Sequence, residues 1–101
     1  MKVGITGSNG FIGKHLTDFF RSQSVDVTPL ARKKKGTLLE NNLSRDNDWE
    51  NSIKNLDIIV HCAARVHKIE DKEPFSEKLY NQINVEGTKR LAEQAAVLGV
   101  K

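Results

Sequence analysis

The alternation of apolar and polar residues predicts two short strands near the start of the chain, with a helix between them. Val3 and Ile5 alternate with small or polar residues, and 25–30 repeats this alternation. Between the two stretches, apolar residues recur at the spacing of one helix face, at Ile12, Leu16, Phe19 and Phe20. A strand, a helix and a strand in this order predict a right-handed βαβ unit with parallel strands.

Three shorter elements are predicted in the middle of the chain. We expect a short strand over 37–40, followed by a short helix that Asp46 or Asn47 caps and that places Trp49 in the core or over apolar surface. The β-branched run at 57–60 is typical of a strand buried on both faces of a parallel sheet.

A long helix fills the last part of the predicted fold. Pro74 suits its first turn, Gly99 marks its end, and Val100 begins a fifth strand. Its apolar stripe consists of Phe75, Leu79, Ile83, Leu91, Ala95 and Leu98. Gly87 falls inside this helix, where it costs about 1 kcal/mol against alanine, and close packing on the sheet is the reason we expect for it.

Three glycines separate the first strand from the first helix. Gly7 permits a tight turn, Gly10 lets a pyrophosphate approach the backbone, and Gly13 lets the helix pack closely on the strand. The amides of the first helical turn, with the positive end of the helix dipole, would then face the phosphates. A flexible turn before a helix can show the same spacing, but the strand before and the helix after favour dinucleotide binding.

Composition narrows the class of protein. A chain of 101 residues has room for one domain, and 38% hydrophobic with 29% charged residues is typical of a folded globular protein. No apolar run approaches the ~20 residues of a membrane span, and no signal-peptide pattern opens the sequence. A single cysteine, Cys62, suits a reducing compartment. We therefore expect a cytoplasmic protein with no membrane partner.

The glycine motif and three later motifs resemble the extended short-chain dehydrogenases/reductases, the family of nucleotide-sugar epimerases and dehydratases. The motifs stand in the family's order at 6–13, 42–43, 61–65 and 84–88. The resemblance implies a nicotinamide cofactor and, in a full-length form, a nucleotide-sugar substrate. It also implies an α/β fold: a Rossmann-like doubly wound parallel sheet with strand order 3-2-1-4, truncated before the remaining strands. Residues 1–101 would then form the N-terminal NAD(P)-binding part of such an enzyme.

The resemblance further implies which residues contact the cofactor. The glycine loop would hold the pyrophosphate, Asn42 and Leu43 would contact the adenine, and 62–65 would lie along the cofactor, with Cys62 as a small spacer rather than a nucleophile. The full set is Gly7, Ser8, Asn9, Gly10, Phe11, Ile12, Gly13, Arg32, Asn42, Leu43, Cys62, Ala63, Ala64 and Arg65.

The tip of the second strand bears on the choice between NAD and NADP. The family usually has an acid where Ala31 stands, which would accept hydrogen bonds from the ribose and favour NAD. Arg32 follows and can accommodate the 2′-phosphate of NADP, so we favour NADP over NAD. We interpret 33–35 as a solvated basic turn. Without interleaved aromatic residues it does not indicate a nucleic-acid partner.

The family's catalytic residues are not found in the sequence. The family's reaction uses a Tyr-x-x-x-Lys pair, whereas Tyr80 is followed four residues later by Asn84. We therefore expect no catalytic residue here, and no metal site, because His61 and His67 lack further ligands at metal-binding spacing. Two functions stay open: an incomplete part of an epimerase or dehydratase (a reductase is chemically close), or a stand-alone dinucleotide-binding or regulatory module.

The predicted sheet has an open edge. In the order 3-2-1-4 the strand at 57–62 lies at the edge, and an apolar edge with open N–H and C=O groups is a template for pairing with another chain. The helix at 74–98 contributes to a dimer interface in the family that the chain resembles. We therefore expect self-association, as a homodimer.

Overall fold

The computed structural model describes residues 1–35, 38–41, 43–44, 46–64 and 81–101. The predictions for Asn42, Arg65, Pro74 and Tyr80 lie outside the described residues.

Strands and helices alternate along the described part of the chain. The strands are β1 (Lys2–Thr6), β2 (Asp26–Leu30), β3 (Lys33–Lys35), β4 (Leu38–Glu40) and β5 (Ile58–His61). The helices are α1 (Phe11–Ser22), α2 (Glu50–Ile53) and α3 (Thr88–Leu98). A π-helical segment, Asn81–Gly87, leads directly into α3.

The central sheet has three parallel strands in the order β2–β1–β5. At its carboxyl edge, Thr6 of β1 lies in register between Leu30 of β2 and His61 of β5. The carboxyl edge of such a sheet is where ligands bind in doubly wound folds. The α/β class with a parallel sheet is therefore confirmed, and the three strands follow the relative order of the predicted strands 2, 1 and 4.

The segment of the third predicted strand pairs elsewhere. β4 pairs antiparallel with β3 in a separate two-stranded sheet. The interpretation of 33–35 as a turn is therefore wrong, because pairing with 38–40 satisfies the backbone groups of both segments. Asn41, at a φ of 58°, donates from its side-chain amide to the Ala31 carbonyl at 3.2 Å and ties the hairpin to the end of β2. A third strand beside β2 stays a prediction.

The main hydrophobic core lies on one face of the central sheet. A side chain at Gly4 would contact Leu30 and Leu56, so this face of β1 points at the core. Its buried members come from β2, α2 and α3 and the segments beside them, and are Leu30, Trp49, Ile53, Leu56, Leu91, Ala95 and Val100. Trp49 is fully buried, which confirms its predicted place in the core.

Helix α1 packs against β1 and β2, but not with the stripe that the sequence predicted. Its buried residues are Gly13 and Thr17. Of the predicted apolar face, Leu16 and Phe20 are half-buried, whereas Ile12 and Phe19 are 65% and 58% exposed, so the prediction is wrong for these two. Small side chains on the inner face let the helix approach closely, and the Thr17 hydroxyl is satisfied by the Gly13 carbonyl at 2.7 Å.

The start of α2 differs from the predicted cap. The helix begins at Glu50, and the carboxylate that accepts from its N–H is Asp48, at 3.1 Å. Gln94 of α3 donates to the same oxygen at 2.9 Å, and its own carbonyl accepts from the Trp49 N–H at 2.8 Å. Long-range contacts with α3 therefore hold this segment together with the local bond from Glu50 to Asp48.

Near the end of the chain, the prediction for Gly99 as the helix end is confirmed, whereas the predicted packing of Gly87 on the sheet is not. Gly99 terminates α3 in the left-handed conformation, with a φ of 72°, and the Ile59 N–H donates to the Lys101 carbonyl at 2.6 Å, as for a fifth strand beside β5. A side chain at Gly87 would lie 3.0 Å from Leu43. Gly87 therefore packs against the 43–44 segment rather than the sheet, and the Ser44 nitrogen would lie 3.1 Å from the same Cβ.

Within the described residues, no helix is both long enough and apolar enough to cross a membrane.

Candidate cofactor-binding site

The candidate site is the loop that joins β1 to α1. Gly7 turns the chain at a φ of 63°, and the Gly10 N–H closes the turn by donating to the Gly7 carbonyl at 2.9 Å. Helix α1 begins at Phe11, and its first N–H···O bond runs from Lys14 to Gly10 at 2.9 Å.

The three glycines of the loop have different surroundings. A Cβ at Gly7 would lie 2.8 Å from the Ala63 nitrogen, and one at Gly13 would strike the Gly7 carbonyl. Both glycines are therefore needed for close packing of backbone on backbone. A Cβ at Gly10 would meet only the Gly7 oxygen, at 3.3 Å, so its other side is open to a ligand.

Hydrogen-bond donors without acceptors lie in this loop and at the start of α1. The first amides of a helix have no acceptor one turn back, and no side chain caps α1. The Ser8 side chain is buried, at 6% exposure, and its hydroxyl has no partner in the described structure. Donors held in a cradle at the positive end of a helix fit a phosphate group. The residues present therefore fit the pyrophosphate of a dinucleotide.

The second wall of the site is the segment after β5. The Thr6 hydroxyl accepts from the Cys62 N–H at 3.0 Å and from the Ala63 N–H at 3.1 Å. These bonds hold 62–64 against Gly7, where Cys62 and Ala63 are half-buried and Ala64 is exposed. The structure thus brings two of the predicted segments together, 7–13 and 62–64.

A depression of about 520 Å³ extends from the loop along α1 towards Pro29. It is lined by Ser8, Asn9, Lys14, Thr17, Asp18, Arg21 and Pro29. Two of these residues are cations and one is an anion. Arg32 is exposed just beyond β2, at the end of the strand where a ribose would be expected.

Two of the predicted contacts fall outside the described residues, and a third has a packing role. Asn42 and Arg65 cannot be placed. Leu43 is 7% exposed and lies against Gly87, so its side chain packs the core side of the π-helical segment, and its contact with adenine stays a prediction.

The sequence did not predict the hydrogen bonds that the Thr6 and Thr88 hydroxyls make. Both residues belong to motifs of the family, at 6–13 and 84–88. Their common partner lies far along the chain, because His61 is 55 residues from Thr6 and 27 residues from Thr88. For Thr6 the available signal was a hydroxyl at the end of a buried strand, where it must hydrogen-bond a neighbouring element; Thr88, at the start of α3, gave no such signal.

Fold and loop together define a class of protein. A parallel α/β sheet with a glycine-lined cradle at its carboxyl edge is a nucleotide-binding fold of the Rossmann type. The chain belongs to the NAD dependent epimerase/dehydratase family, whose family model matches residues 3–101. The predicted family resemblance is thereby confirmed, and the family's own cofactor is NAD.

Relatives match nearly the whole chain. It is 38% identical over 103 residues to UDP-glucose 4-epimerase of Vibrio cholerae, a match that covers 96% of the chain and 31% of the epimerase. It is 31% identical over 117 residues to a decarboxylating sterol-4-alpha-carboxylate 3-dehydrogenase of Candida albicans, covering 98% of the chain and 32% of that enzyme. The chain therefore spans about a third of the length of these relatives.

Solved structures agree with the fold. A short-chain dehydrogenase/reductase superfamily protein from Agrobacterium tumefaciens with bound NAD superposes with a TM-score of 0.77 at 25% identity. The superposition covers 100% of the chain and 30% of that protein.

Proposed function

We propose that this chain is the N-terminal NAD(P)-binding part of a nucleotide-sugar epimerase or dehydratase similar to UDP-glucose 4-epimerase. The observation that carries the proposal is the loop at 7–13, where the Ser8 hydroxyl is buried without a partner beside the uncapped start of α1. A phosphate oxygen accepting from these donors removes the cost of leaving them unpaired. When bound, the nicotinamide ring would supply the hydride chemistry, and the loop at 7–13 would hold the phosphates.

The wall at 62–64 supports the same assignment. Cys62, Ala63 and Ala64 carry small side chains, so a flat ring system can lie close to their backbone. We propose that this wall, with Arg65 beyond it, runs along the bound cofactor.

Titration with NADH by calorimetry tests the proposal. Gly10 has a φ of −77° and a ψ of 173°, which alanine adopts freely, and its Cβ would approach only the Gly7 oxygen, at 3.3 Å, so Gly10→Ala fills the cradle at the cost of a small backbone adjustment. We expect Gly10→Ala to weaken NADH binding at least tenfold, or about 1.4 kcal/mol, with little change in Tm. Asn55→Ala, in the exposed turn before β5, is the matched control. Unchanged affinity in Gly10→Ala would refute the assignment of this loop.

We further propose that NADP is preferred over NAD. Ala31 offers no carboxylate to repel a 2′-phosphate, and Arg32 is exposed beside it. A charge-assisted hydrogen bond of about 1.5–3 kcal/mol corresponds to a preference of roughly 10- to 100-fold.

Calorimetry with NADPH and NADH measures this preference directly. Arg32→Ala should reduce it, and added salt should weaken it, since the interaction is between charges near the surface. The control is Lys54→Ala, which removes an exposed cation from the turn before β5 rather than from the tip of β2. Equal affinities for the two cofactors, or tighter binding of NADH, would overturn the preference.

The substrate part of the proposal concerns a longer protein. The same third of the molecule occurs in an epimerase and in a sterol dehydrogenase, so it does not select the substrate. The gene sequence after Lys101 decides: a Tyr-x-x-x-Lys pair downstream supports an epimerase or dehydratase. A stop codon there would favour a stand-alone dinucleotide-binding module.

We also propose that the chain self-associates through the outer edge of β5. Lys101 pairs with the start of this edge, at Asp57 and Ile59. Further towards His61, no described strand pairs with the edge of β5. Open backbone groups on an apolar edge favour pairing with a second copy.

A further inference from the structure

His61 connects three elements around the candidate site. Its Nδ1 lies 2.7 Å from the Thr6 hydroxyl on β1, and its Nε2 lies 3.0 Å from the Thr88 hydroxyl at the start of α3. Thr6 is fully buried, so water does not complete its hydrogen bonding. We call these three side chains the Thr6–His61–Thr88 network.

The hydrogen bonds of Thr6 determine the protonation of His61. A hydroxyl oxygen has two lone pairs and one proton to donate. The amides of Cys62 and Ala63 occupy both lone pairs of the Thr6 oxygen. The Thr6 proton must therefore be donated to Nδ1 of His61, and Nδ1 must be unprotonated.

The neutral imidazole then carries its proton on Nε2. From there it donates to the Thr88 oxygen, so every donor in the network has an acceptor. The backbone amides of the second wall thus select a single tautomer of a side chain on β5.

Protonation of Nδ1 breaks this arrangement. Three N–H groups would then point at a buried oxygen with two lone pairs, and the Thr6 proton would have no acceptor. Either the imidazolium or one of the two amides must move. Because the Ala63 amide lies against Gly7, any such movement reaches the glycine loop.

We infer that His61 is a positioning residue that holds the two walls of the cofactor site, 7–13 and 62–64, in register, and that it does so only as the neutral Nε2–H tautomer. This inference rests on the proposed cofactor site.

The surroundings of His61 favour the neutral form. Burial lowers the pKa of the His61 imidazole, because the charged form loses its water. Among the described residues, the titratable or charged groups on the elements packed against it are, in chain order, Lys2 on β1, Asp57 before β5, Cys62 after it, Glu86 in the π-helical segment, and Lys89, Arg90 and Glu93 on α3. Lys2 and Asp57 lie at the opposite end of the sheet, where the Asp57 carboxylate accepts from the Lys2 backbone N–H at 2.7 Å.

NMR of the imidazole rings in the protein without cofactor tests the tautomer directly. We expect His61 to show an unprotonated Nδ1 and a protonated Nε2 at pH 7.5, and to titrate below the ordinary value of about 6.5. The chain has three histidines, and His15→Asn and His67→Asn assign the signals. A protonated Nδ1 at pH 7.5 would overturn the inference, whatever the protein binds.

Calorimetry with NAD⁺ at pH 5 to 8 tests the positioning role. If only the neutral form is competent, affinity falls by up to tenfold for each pH unit below the pKa of His61. His61→Asn keeps an acceptor for the Thr6 proton and does not titrate, so its affinity should stay constant over this range. A parallel decline in wild type and His61→Asn would refute the role. Absence of NAD⁺ binding at every pH would instead refute the proposed function, while the NMR result would still decide the tautomer.

Discussion

Two glycines with left-handed backbones differ in what surrounds them. Gly7 and Gly99 have φ values of 63° and 72°, but only at Gly7 would a Cβ meet other atoms within 4 Å. Gly99→Ala should cost about 1 kcal/mol from backbone strain alone. Gly7→Ala should cost at least ~2 kcal/mol, because the added carbon also strikes the Ala63 backbone. Urea denaturation measures both, and equal losses would show that the contact between Gly7 and Ala63 is not tight.

Trp49 and Phe19 test which aromatic side chains form the core. Trp49 is fully buried, so Trp49→Ala should cost about 3–5 kcal/mol, a large part of the stability of a small domain. Phe19→Ala, on the exposed side of α1, should stay within about 0.5 kcal/mol. Circular dichroism during thermal unfolding measures both. A large loss of stability in Phe19→Ala would show that Phe19 is packed, as the predicted apolar face of α1 required.

Sequence reasoning at this scale succeeded where the cause is local. The glycine spacing was informative because a turn, a cradle and a close helix contact each depend on neighbours within a few residues. The role of Thr6 was not visible, because its partners, His61, Cys62 and Ala63, lie more than 50 residues further along the chain. Only the fold brings them together.

At the scale of elements, the segment before α2 is held by charge and hydrogen bonding to α3. The pKa of Asp48 lies below its ordinary value of 3.8, first because it accepts from the Glu50 N–H, then because of Gln94 and the positive charge of Arg90. Arg90 also donates to the Asn47 carbonyl at 3.0 Å. The segment is thus fastened to α3 at three successive residues, 47–49.

This arrangement predicts a pH dependence of stability. Because the pKa of Asp48 is lower in the folded chain, its contribution is complete above the unfolded value of 3.8 and declines as the pH falls through the folded pKa. The difference in free energy of unfolding between wild type and Asp48→Asn should therefore be constant above about pH 5 and shrink below it. The fluorescence of the single tryptophan follows unfolding, and Asp26→Asn is the control. A difference that persists unchanged to pH 2 would contradict the assignment.

The periodicity of α1 shows why elements were easier to predict than their faces. The helix itself lies where the apolar spacing indicated, from Phe11 to Ser22. Its most buried residues are Gly13 and Thr17, with Leu16 and Phe20 half-buried, because the helix approaches the chain so closely that a Cβ at Gly13 would strike the Gly7 carbonyl. Apolar spacing predicts a helix, but the partner decides which side is buried.

At the scale of the whole molecule, several surfaces of the described part of the chain are open to a second copy. They are the outer edge of β5 beyond Lys101, the outer edge of β2, and the exposed apolar side of α1 with Phe11, Ile12 and Phe19. We expect association at micromolar concentrations, within the μM–mM range where open edges and apolar surface associate. Size exclusion with light scattering measures the mass, and Phe19→Lys separates helix packing from edge pairing. A clean 11.3 kDa monomer at ~0.5 mM would contradict the expectation.

The 101-residue chain should bind cofactor without turning over substrate. It contains no Tyr-x-x-x-Lys pair, so nothing in it exchanges the hydroxyl proton that accompanies hydride transfer. Assays with UDP-glucose and other UDP- or GDP-sugars should remain at background while NADH titration shows binding. Epimerisation that disappears in Tyr80→Phe would show that the catalytic tyrosine is already present.

The large sequence separation between Thr6 and its hydrogen-bond partners has a consequence for the order of folding. Its strand is made first, yet the amides it holds belong to Cys62 and Ala63, and the histidine beside them is fixed by Thr88. Contacts so distant in sequence form slowly, because loop-closure entropy opposes them until the intervening elements pack. At a synthesis rate of about 5–20 residues per second, several seconds pass between the synthesis of Thr6 and that of these partners. The ability to bind cofactor should therefore arise among the last events of folding, well after the glycine loop has been synthesised.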